Sequence, residues 1–344
     1  MAENDKSDKM IFPKCLIGRN PFVTCHGHLM PCCWLDVPRY NSKNKILNND
    51  GEWIKNEFLK FDLNQKSYKE TVNSDEWLLS LEKLFLLNYY NCNTKCKNYV
   101  THNDKITHNE FLIDDLIREN NISFSDDINF FNKNVVDTWE CDDIQLELTN
   151  KCSLKCLYCA RLYDKPNKSD LNINIVDDIL KCKHWKNIED VGSYGDTMFY
   201  KPYHTFLKLL CESSVENYSG HFAATGKGKK WWDETFLLYN DVIKSGTNIR
   251  LTFGIDGLEE TSKLHRVGQD WDEITYALKK SVESGCDVFW QYIPMSFNEH
   301  QINEAKKLAE EWGCKFHLCL SDRFRKNDPN RPKSSNLYRT SHAS

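Results

Sequence analysis

Three cysteines stand close together in the segment LELTNKCSLKCLYCAR, at Cys152, Cys156 and Cys159. Thiolates at such spacing bind zinc or an iron–sulfur cluster. A structural site of either kind normally takes four protein ligands, and this loop offers no fourth Cys or His, so zinc is the weaker alternative. Three thiolates on a four-iron cube leave one iron open to a substrate or cofactor. The spacing therefore predicts a [4Fe-4S] cluster with one free coordination position.

Composition bounds the kind of protein that carries this loop. The 344 residues carry 45 basic and 50 acidic side chains, a net charge of -5, so no overall field attracts nucleic acid or anionic lipid. The N-terminus is polar, without an apolar leader, and no apolar run is long enough to span a membrane. We therefore expect a cytoplasmic protein without membrane association. In that compartment the 15 cysteines are better explained as metal ligands and buried thiols than as disulfides.

Strand-like and amphipathic helical stretches alternate from Ile144 onward, which is typical of strand–helix units around a parallel sheet. About six units are predicted, fewer than the eight of a closed barrel, so the fold class is α/β with a partial (β/α)6 TIM-like barrel. In such sheets the chemistry lies at the carboxyl ends of the strands. The predicted strands are Ile144–Leu148, Ile188–Gly192, His221–Thr225, Ile249–Ile255, Asp287–Ile293 and Lys315–Leu320.

The rest of the chain divides into three parts around the barrel, which we assign to residues 139–324. Residues 1–98 form a small cysteine-rich α+β module with a hairpin turning at His26-Gly27 and a helix near Asp75–Leu87. Residues 99–138 are rich in Asn and Asp and are a connector. Residues 325–344 are polar and basic, so we expect a disordered tail, with a nucleic-acid-binding arm as the alternative.

The CxxxCxxC loop, with the aromatic Tyr158 before its last cysteine, resembles the signature of the radical S-adenosylmethionine (SAM) superfamily. The resemblance implies that the open iron chelates the amino and carboxylate groups of SAM. It also implies that the reduced cluster passes one electron to SAM, which splits into methionine and a 5′-deoxyadenosyl radical. In such enzymes the cofactors perform the difficult chemistry while the protein positions and shields them.

Further matches to this superfamily follow in the same order along the barrel, and together the likeness covers roughly residues 139–324. The turn Gly192–Thr197 is similar to a glycine-rich turn that binds the SAM amino group, although Asp196 replaces a glutamate and a threonine replaces the final proline. Asp256 stands where relatives contact the ribose, and Arg266 where they hold the SAM carboxylate. The expected SAM contacts are Tyr158, Gly195, Asp196, Asp256 and Arg266.

The N-terminal module resembles the auxiliary-cluster half of a SPASM or twitch domain. On this resemblance Cys15, Cys32, Cys92 and Cys96 hold a second iron–sulfur cluster, although in most relatives the module follows the barrel. Alternatives stay open, because Cys33 competes with Cys32 as a ligand. In addition, Cys25 with His26 or His28 offers a zinc site, and the thiols could also be free.

Three functions follow from these patterns. The leading one is a radical SAM enzyme that abstracts hydrogen from a peptide or protein and takes electrons from a donor such as flavodoxin or ferredoxin. The second is a radical SAM enzyme acting on a nucleotide, nucleic acid or small metabolite; since only the basic tail favours it, deleting the tail is expected to leave activity intact. The third, from another class, is a non-catalytic iron–sulfur electron carrier or zinc-bound interaction module.

Overall fold

The structure is a computed structural model that describes residues 21–31, 57–86, 141–162, 166–321, 323–324 and 327–339. It divides into two compact units, Met1–Ile144 and Gln145–Ser344. The predicted ligands Cys15, Cys32, Cys92 and Cys96, and the connector 99–138, lie outside the described residues.

The first unit contains the predicted hairpin, which is confirmed. Strands β1 (Phe22–Val23) and β2 (Leu29–Met30) pair antiparallel, and the amide of Gly27 donates to the carbonyl of Thr24 at 2.9 Å to close the turn. The described residues that follow include the helices α1 (Tyr68–Val72) and α2 (Asp75–Leu86). The fully buried Trp77 of α2 is the centre of a small aromatic core in this unit.

The second unit is a sheet in the order β3-β4-β5-β6-β7-β8. Adjacent strands from β4 to β8 pair in parallel, so all of them end at the same edge of the sheet. The α/β class and the partial TIM-like barrel are confirmed. The strands are β3 (Asp143–Leu146), β4 (Asn187–Asp190), β5 (Asn217–Phe222), β6 (Asn248–Gly254), β7 (Asp287–Tyr292) and β8 (Lys315–Leu318).

Helices connect the successive strands, because parallel strands need a crossover between them. Their apolar stripes cover one face of the sheet: Phe222 of β5 packs on Trp232 with ring centroids 5.4 Å apart, and Trp290 of β7 stacks on Trp312 at 5.2 Å. Burial of each such side chain contributes about 1.5–3 kcal/mol. The helices are α3 (Ile173–Cys182), α4 (Tyr203–Cys211), α5 (Gly228–Lys244), α6 (Ser262–His265), α7 (Trp271–Glu283) and α8 (Ile302–Glu311).

One prediction needs correction. Strand β5 lies at Asn217–Phe222, four residues before the predicted start, because the alternation of NYSGHF and not the apolar run after it enters the sheet. Residues 327–339, which belong to the segment expected to be a tail, make contacts with the rest of the unit. The amide of Ser296 donates to the carbonyl of Asn330 at 2.9 Å, and the amide of Arg339 donates to Ser321 at 3.0 Å. Among the described residues, no helix has the length and apolar character needed to cross a bilayer.

Candidate functional site

The three-cysteine loop leaves the carboxyl end of β3 through a rigid entry. Asn150 exchanges two hydrogen bonds with the segment before α3: its amide donates to the carbonyl of Asn167 at 2.7 Å, and its oxygen accepts from the amide of Ser169 at 2.8 Å. Lys151 pairs with Asp170 at 2.7 Å. The loop therefore starts from a fixed position.

The thiols of Cys152, Cys156 and Cys159 are free and half-buried. Burial raises the pKa of Cys152 to about 12, and the negative charge of Asp196 adds to the effect. Burial also raises the pKa of Cys156, against the opposing positive charge of Arg266. Thiols that resist ionisation on their own fit a site where a metal supplies the compensating charge. In the described parts of the chain, no group of three Cys, His, Asp or Glu side chains is arranged to hold a single metal ion.

Arg161 closes the loop from its far end, a contact that the motif did not predict. Its Nε donates to the sulfur of Cys159 at 3.4 Å, while its terminal nitrogens donate to the carbonyls of Cys152 at 3.1 Å and Leu154 at 2.8 Å. The amide of Leu154 also donates to the sulfur of Cys152 at 3.4 Å. Such N–H···S bonds are what the sulfur ligands of an iron–sulfur cluster receive.

The segment after β6 lies along the other side of the loop. The amide of Lys155 donates to the carbonyl of Val267 at 2.9 Å, and the amide of Leu157 donates to the carbonyl of His265 at 3.2 Å. These bonds bring the predicted SAM contact Arg266 to the middle cysteine of the loop, although the two residues are more than a hundred positions apart.

Arg266 is oriented by Asp256, and both side chains are buried, at 9% and 0% exposure. The Nε of Arg266 donates to Asp256 at 2.7 Å, and no described residue accepts from its two terminal nitrogens. Glycine at position 254 leaves room for the guanidinium, because a Cβ would meet a terminal nitrogen of Arg266 at 2.6 Å. A buried guanidinium with a free fork is suited to a carboxylate.

Both carboxylate oxygens of Asp256 are paired within the protein. The carboxylate accepts from His265 Nδ1 at 2.8 Å, from Arg266, and from the amide of Ile293 at 2.7 Å. Burial alone would raise the pKa of Asp256, but the charge of Arg266 and the bond from His265 hold it below its ordinary value. These contacts give Asp256 an orienting role toward Arg266, and the ribose contact implied by the resemblance stays a prediction.

The turn after β4 touches the loop entry directly. A Cβ on Gly195 would overlap the carbonyl oxygen of Thr149, so only glycine allows this approach. The carboxylate of Asp196 accepts from the amides of Ala223 and Ala224, each at 2.7 Å, and thereby ties the turn to the end of β5. The carbonyls of Gly192, Ser193 and Gly195 accept no hydrogen bond within the described part of the chain. The turn therefore presents its backbone, and not the Asp196 carboxylate, as free acceptors.

Two amide side chains that the motifs did not assign fix the strand ends around Arg266. Gln269 donates to the carbonyls of Ala223 at 2.7 Å and Gly254 at 2.9 Å, which bridges β5 and β6, and its own buried oxygen has no partner among the described residues. Asn298 is fully buried and donates to the carbonyl of Asp256 at 2.9 Å. Neither residue belongs to a recognisable motif, so only the fold reveals them.

Tyr158 lies beside this centre, with its ring centroid 6.0 Å from that of His265. Its hydroxyl donates to Asp328 at 2.6 Å, and its ring meets Phe324 edge to face at 5.5 Å. Of the predicted SAM contacts, the structure thus gathers Tyr158, Gly195, Asp196 and Arg266 around the three-cysteine loop, with Asp256 behind them.

No protein-family model matches the chain, and no curated protein matches it. Solved structures do match at low similarity. They include anSMEcpe with bound AdoMet, at 14% identity and a TM-score of 0.39 over 50% of this chain and 49% of that one. Methylornithine synthase (PylB) matches at 16% identity and a TM-score of 0.37 over 56% and 57%.

Streptococcus suis SuiB bound to its precursor peptide SuiA matches at 14% identity and a TM-score of 0.43, over 75% of this chain and 52% of that one. The chain spans about half the length of these solved proteins. At such identities and TM-scores the likeness assigns neither family, activity nor substrate to this chain.

Proposed function

We propose that the protein is a radical SAM enzyme, in which Cys152, Cys156 and Cys159 hold a [4Fe-4S] cluster. The observation that carries the proposal is the buried Arg266, whose unpaired guanidinium fork lies beside a loop of three free thiols. A thiol loop alone fits a structural metal site. A loop that comes with a pre-oriented carboxylate receptor fits a site that also binds a small zwitterion such as the methionine part of SAM.

The contacts support a proposed role for each residue. The free fork of Arg266 receives the SAM carboxylate, and the open carbonyls of Gly192, Ser193 and Gly195 accept from the amino group. Asp256 and His265 hold Arg266 in place, while Arg161 donates to the sulfur of Cys159. Tyr158, which the resemblance implies as a SAM contact, lies beside His265. When bound, the cluster supplies the one electron that breaks the sulfonium carbon–sulfur bond.

The substrate we propose is a peptide or protein. Among the matching structures, SuiB is described with a bound precursor peptide, and this supports the class by analogy only. We retain the proposal that Cys15, Cys32, Cys92 and Cys96 bind a second cluster. A flavodoxin or ferredoxin would supply electrons in the cytoplasm, where thiols remain reduced.

The test is anaerobic turnover of SAM by the reconstituted full-length chain. After reduction with dithionite, the protein should convert SAM to 5′-deoxyadenosine and methionine, quantified by chromatography. Cys156→Ala should abolish the product, because the cluster loses one of three ligands. Cys286→Ala is the matched control, since this buried thiol lies just before β7, away from the loop, and its loss should leave turnover unchanged.

Turnover that persists in Cys156→Ala would reject the cluster assignment. Reconstituted protein that holds iron and sulfide but never cleaves or binds SAM would favour the alternative of a non-catalytic electron carrier.

A further inference from the structure

The C-terminal segment, defined here as the strap (residues 323–324 and 327–339), contacts Tyr158 from three directions. The hydroxyl of Tyr158 donates to Asp328 at 2.6 Å, and its ring packs against Phe324. Its carbonyl accepts from a terminal nitrogen of Arg323 at 3.1 Å. Tyr158, which lies between Cys156 and Cys159 in the sequence, is thus held by the C-terminal segment of the same unit.

The strap is itself fastened to the barrel by residues that follow this contact in the chain. The hydroxyl of Ser296, after β7, donates to the carbonyl of Pro329 at 2.8 Å, and its amide donates to Asn330. Glu299 accepts from the amide of Lys333 at 3.0 Å. Phe324 is 8% exposed, so it packs as a core residue would. With these contacts, the strap packs as an integral part of the second unit.

Asp328 is itself fixed in place where it holds Tyr158, and the ring of Tyr158 has a further neighbour in His265. Its Oδ1 accepts both the Tyr158 hydroxyl and the amide of Asn330, at 3.0 Å, so the carboxylate is fixed to its own backbone while it holds the tyrosine. The ring of Tyr158 also lies near His265, with ring centroids 6.0 Å apart, and His265 is hydrogen-bonded to Asp256, which pairs with Arg266. The ring therefore has neighbours in both the strap and the group that orients Arg266.

We propose that the strap completes the SAM site, with Asp328 and Phe324 as positioning residues that act through Tyr158. The inference rests on the proposed function and adds a part to it that the cysteine motif does not contain. It also reverses the expectation that deleting the tail leaves activity intact, since removal of the strap would release Tyr158.

The experiment measures SAM affinity of the cluster-loaded, full-length chain, from the change in the electron paramagnetic resonance signal of the reduced cluster on titration with SAM. Asp328→Ala and Tyr158→Phe should each weaken SAM binding roughly tenfold, because each removes the same hydrogen bond to a charged group. The double variant should be no weaker than either single variant, since the two side chains act as one unit. Iron and sulfide content, and the signal without SAM, should match the wild type.

A matched control is available elsewhere in the barrel unit. Asp233 accepts a hydrogen bond from the hydroxyl of Tyr276, an exposed tyrosine–aspartate pair between α5 and α7. Asp233→Ala should leave SAM affinity unchanged. Where Asp328→Ala lowers iron content, Phe324→Leu replaces it as the test, with the same expected loss of affinity.

Wild-type affinity in Asp328→Ala, or fully additive losses in the double variant, would overturn the role of the strap while leaving the proposed function intact. A wild-type chain that carries the cluster but gives no response to SAM would instead reject the proposed function, and this inference with it.

Discussion

Each end of the parallel strands carries an aspartate paired with cationic side chains. The group at the carboxyl ends is buried, whereas the group at the amino ends is partly exposed. At the carboxyl edge, Asp256 pairs with Arg266 and His265 and is completely buried. At the amino edge, Asp287 pairs with Arg250 at 3.2 Å and Lys315 at 2.6 Å, and its side chain is 34% exposed. Only the first group lies beside the thiol loop.

The difference matters because the two environments set very different energies. Exposed ion pairs contribute about 0–1 kcal/mol, since water and salt screen them. A buried pair gains more from its Coulomb attraction but must offset the loss of hydration, and well-packed apolar residues are often as stable. A fold that needed only stability would not require Asp256 and Arg266, so their burial is better explained by the preparation of a cationic receptor.

The largest effect is expected from Asp256→Ala. The substitution leaves Arg266 buried without a counter-charge, so the free energy of unfolding should fall by about 3–5 kcal/mol, measured by urea denaturation. Arg266→Met is the matched variant, because it removes the charge that Asp256→Ala leaves uncompensated. The double variant should therefore recover part of the free energy of unfolding that Asp256→Ala loses. If Asp256→Ala lowers the free energy of unfolding by less than about 1 kcal/mol, the buried pair contributes no more than an exposed ion pair does, and the prediction is wrong.

A pH-dependent effect is expected from Asp190, the last residue of β4, which is 4% exposed. Burial raises the pKa of its carboxyl to about 7, so the folded protein keeps a proton there that the unfolded chain releases near its ordinary value of 3.8. This contribution to stability is present at low pH and is lost as pH rises toward 7, at up to about 1.4 kcal/mol per pH unit.

Asp190→Asn cannot titrate, so its stability should fall less steeply than that of the wild type between pH 4 and 7. Urea denaturation of both proteins across this range measures the difference. Parallel pH profiles would show that Asp190 is not held in its protonated form.

The smallest effect is expected at the amino edge. Asp287→Ala breaks exposed pairs with Arg250 and Lys315, and should lower the free energy of unfolding by less than about 1 kcal/mol. Raising the salt concentration should remove most of that difference. If Asp287→Ala lowers the free energy of unfolding as much as Asp256→Ala does, and salt does not change the loss, the two groups do not differ in energy as we expect.

The order of the strands was predicted well from the sequence, because it depends on local signals. Alternating apolar residues place β6 and β7 with an error of at most one residue at either end. The spacing of the three cysteines is visible directly, although their cluster stays a prediction. Arg266 was found through its position after β6, which a family resemblance supplies.

Features that depend on tertiary contacts were missed. The sequence around Asp256 does not show whether its side chain is accessible to a ligand or buried against His265. Only the packing distinguishes the two. The polar strap has the composition of a disordered tail, yet Phe324 and Asp328 dock on a tyrosine more than 160 residues earlier. Arg161 lies next to the motif, but its bond to the Cys159 sulfur depends on how the loop turns.

The most direct test of the central claim is to ask whether one iron of the loop cluster binds SAM. Electron–nuclear double resonance on the anaerobically reduced full-length chain, with SAM labelled at its amino nitrogen and carboxylate oxygen, should detect coupling of both labels to the cluster. Both couplings should be absent in Cys156→Ala. A wild-type cluster that shows no coupling, with its fourth iron bound by a protein side chain, would contradict the account.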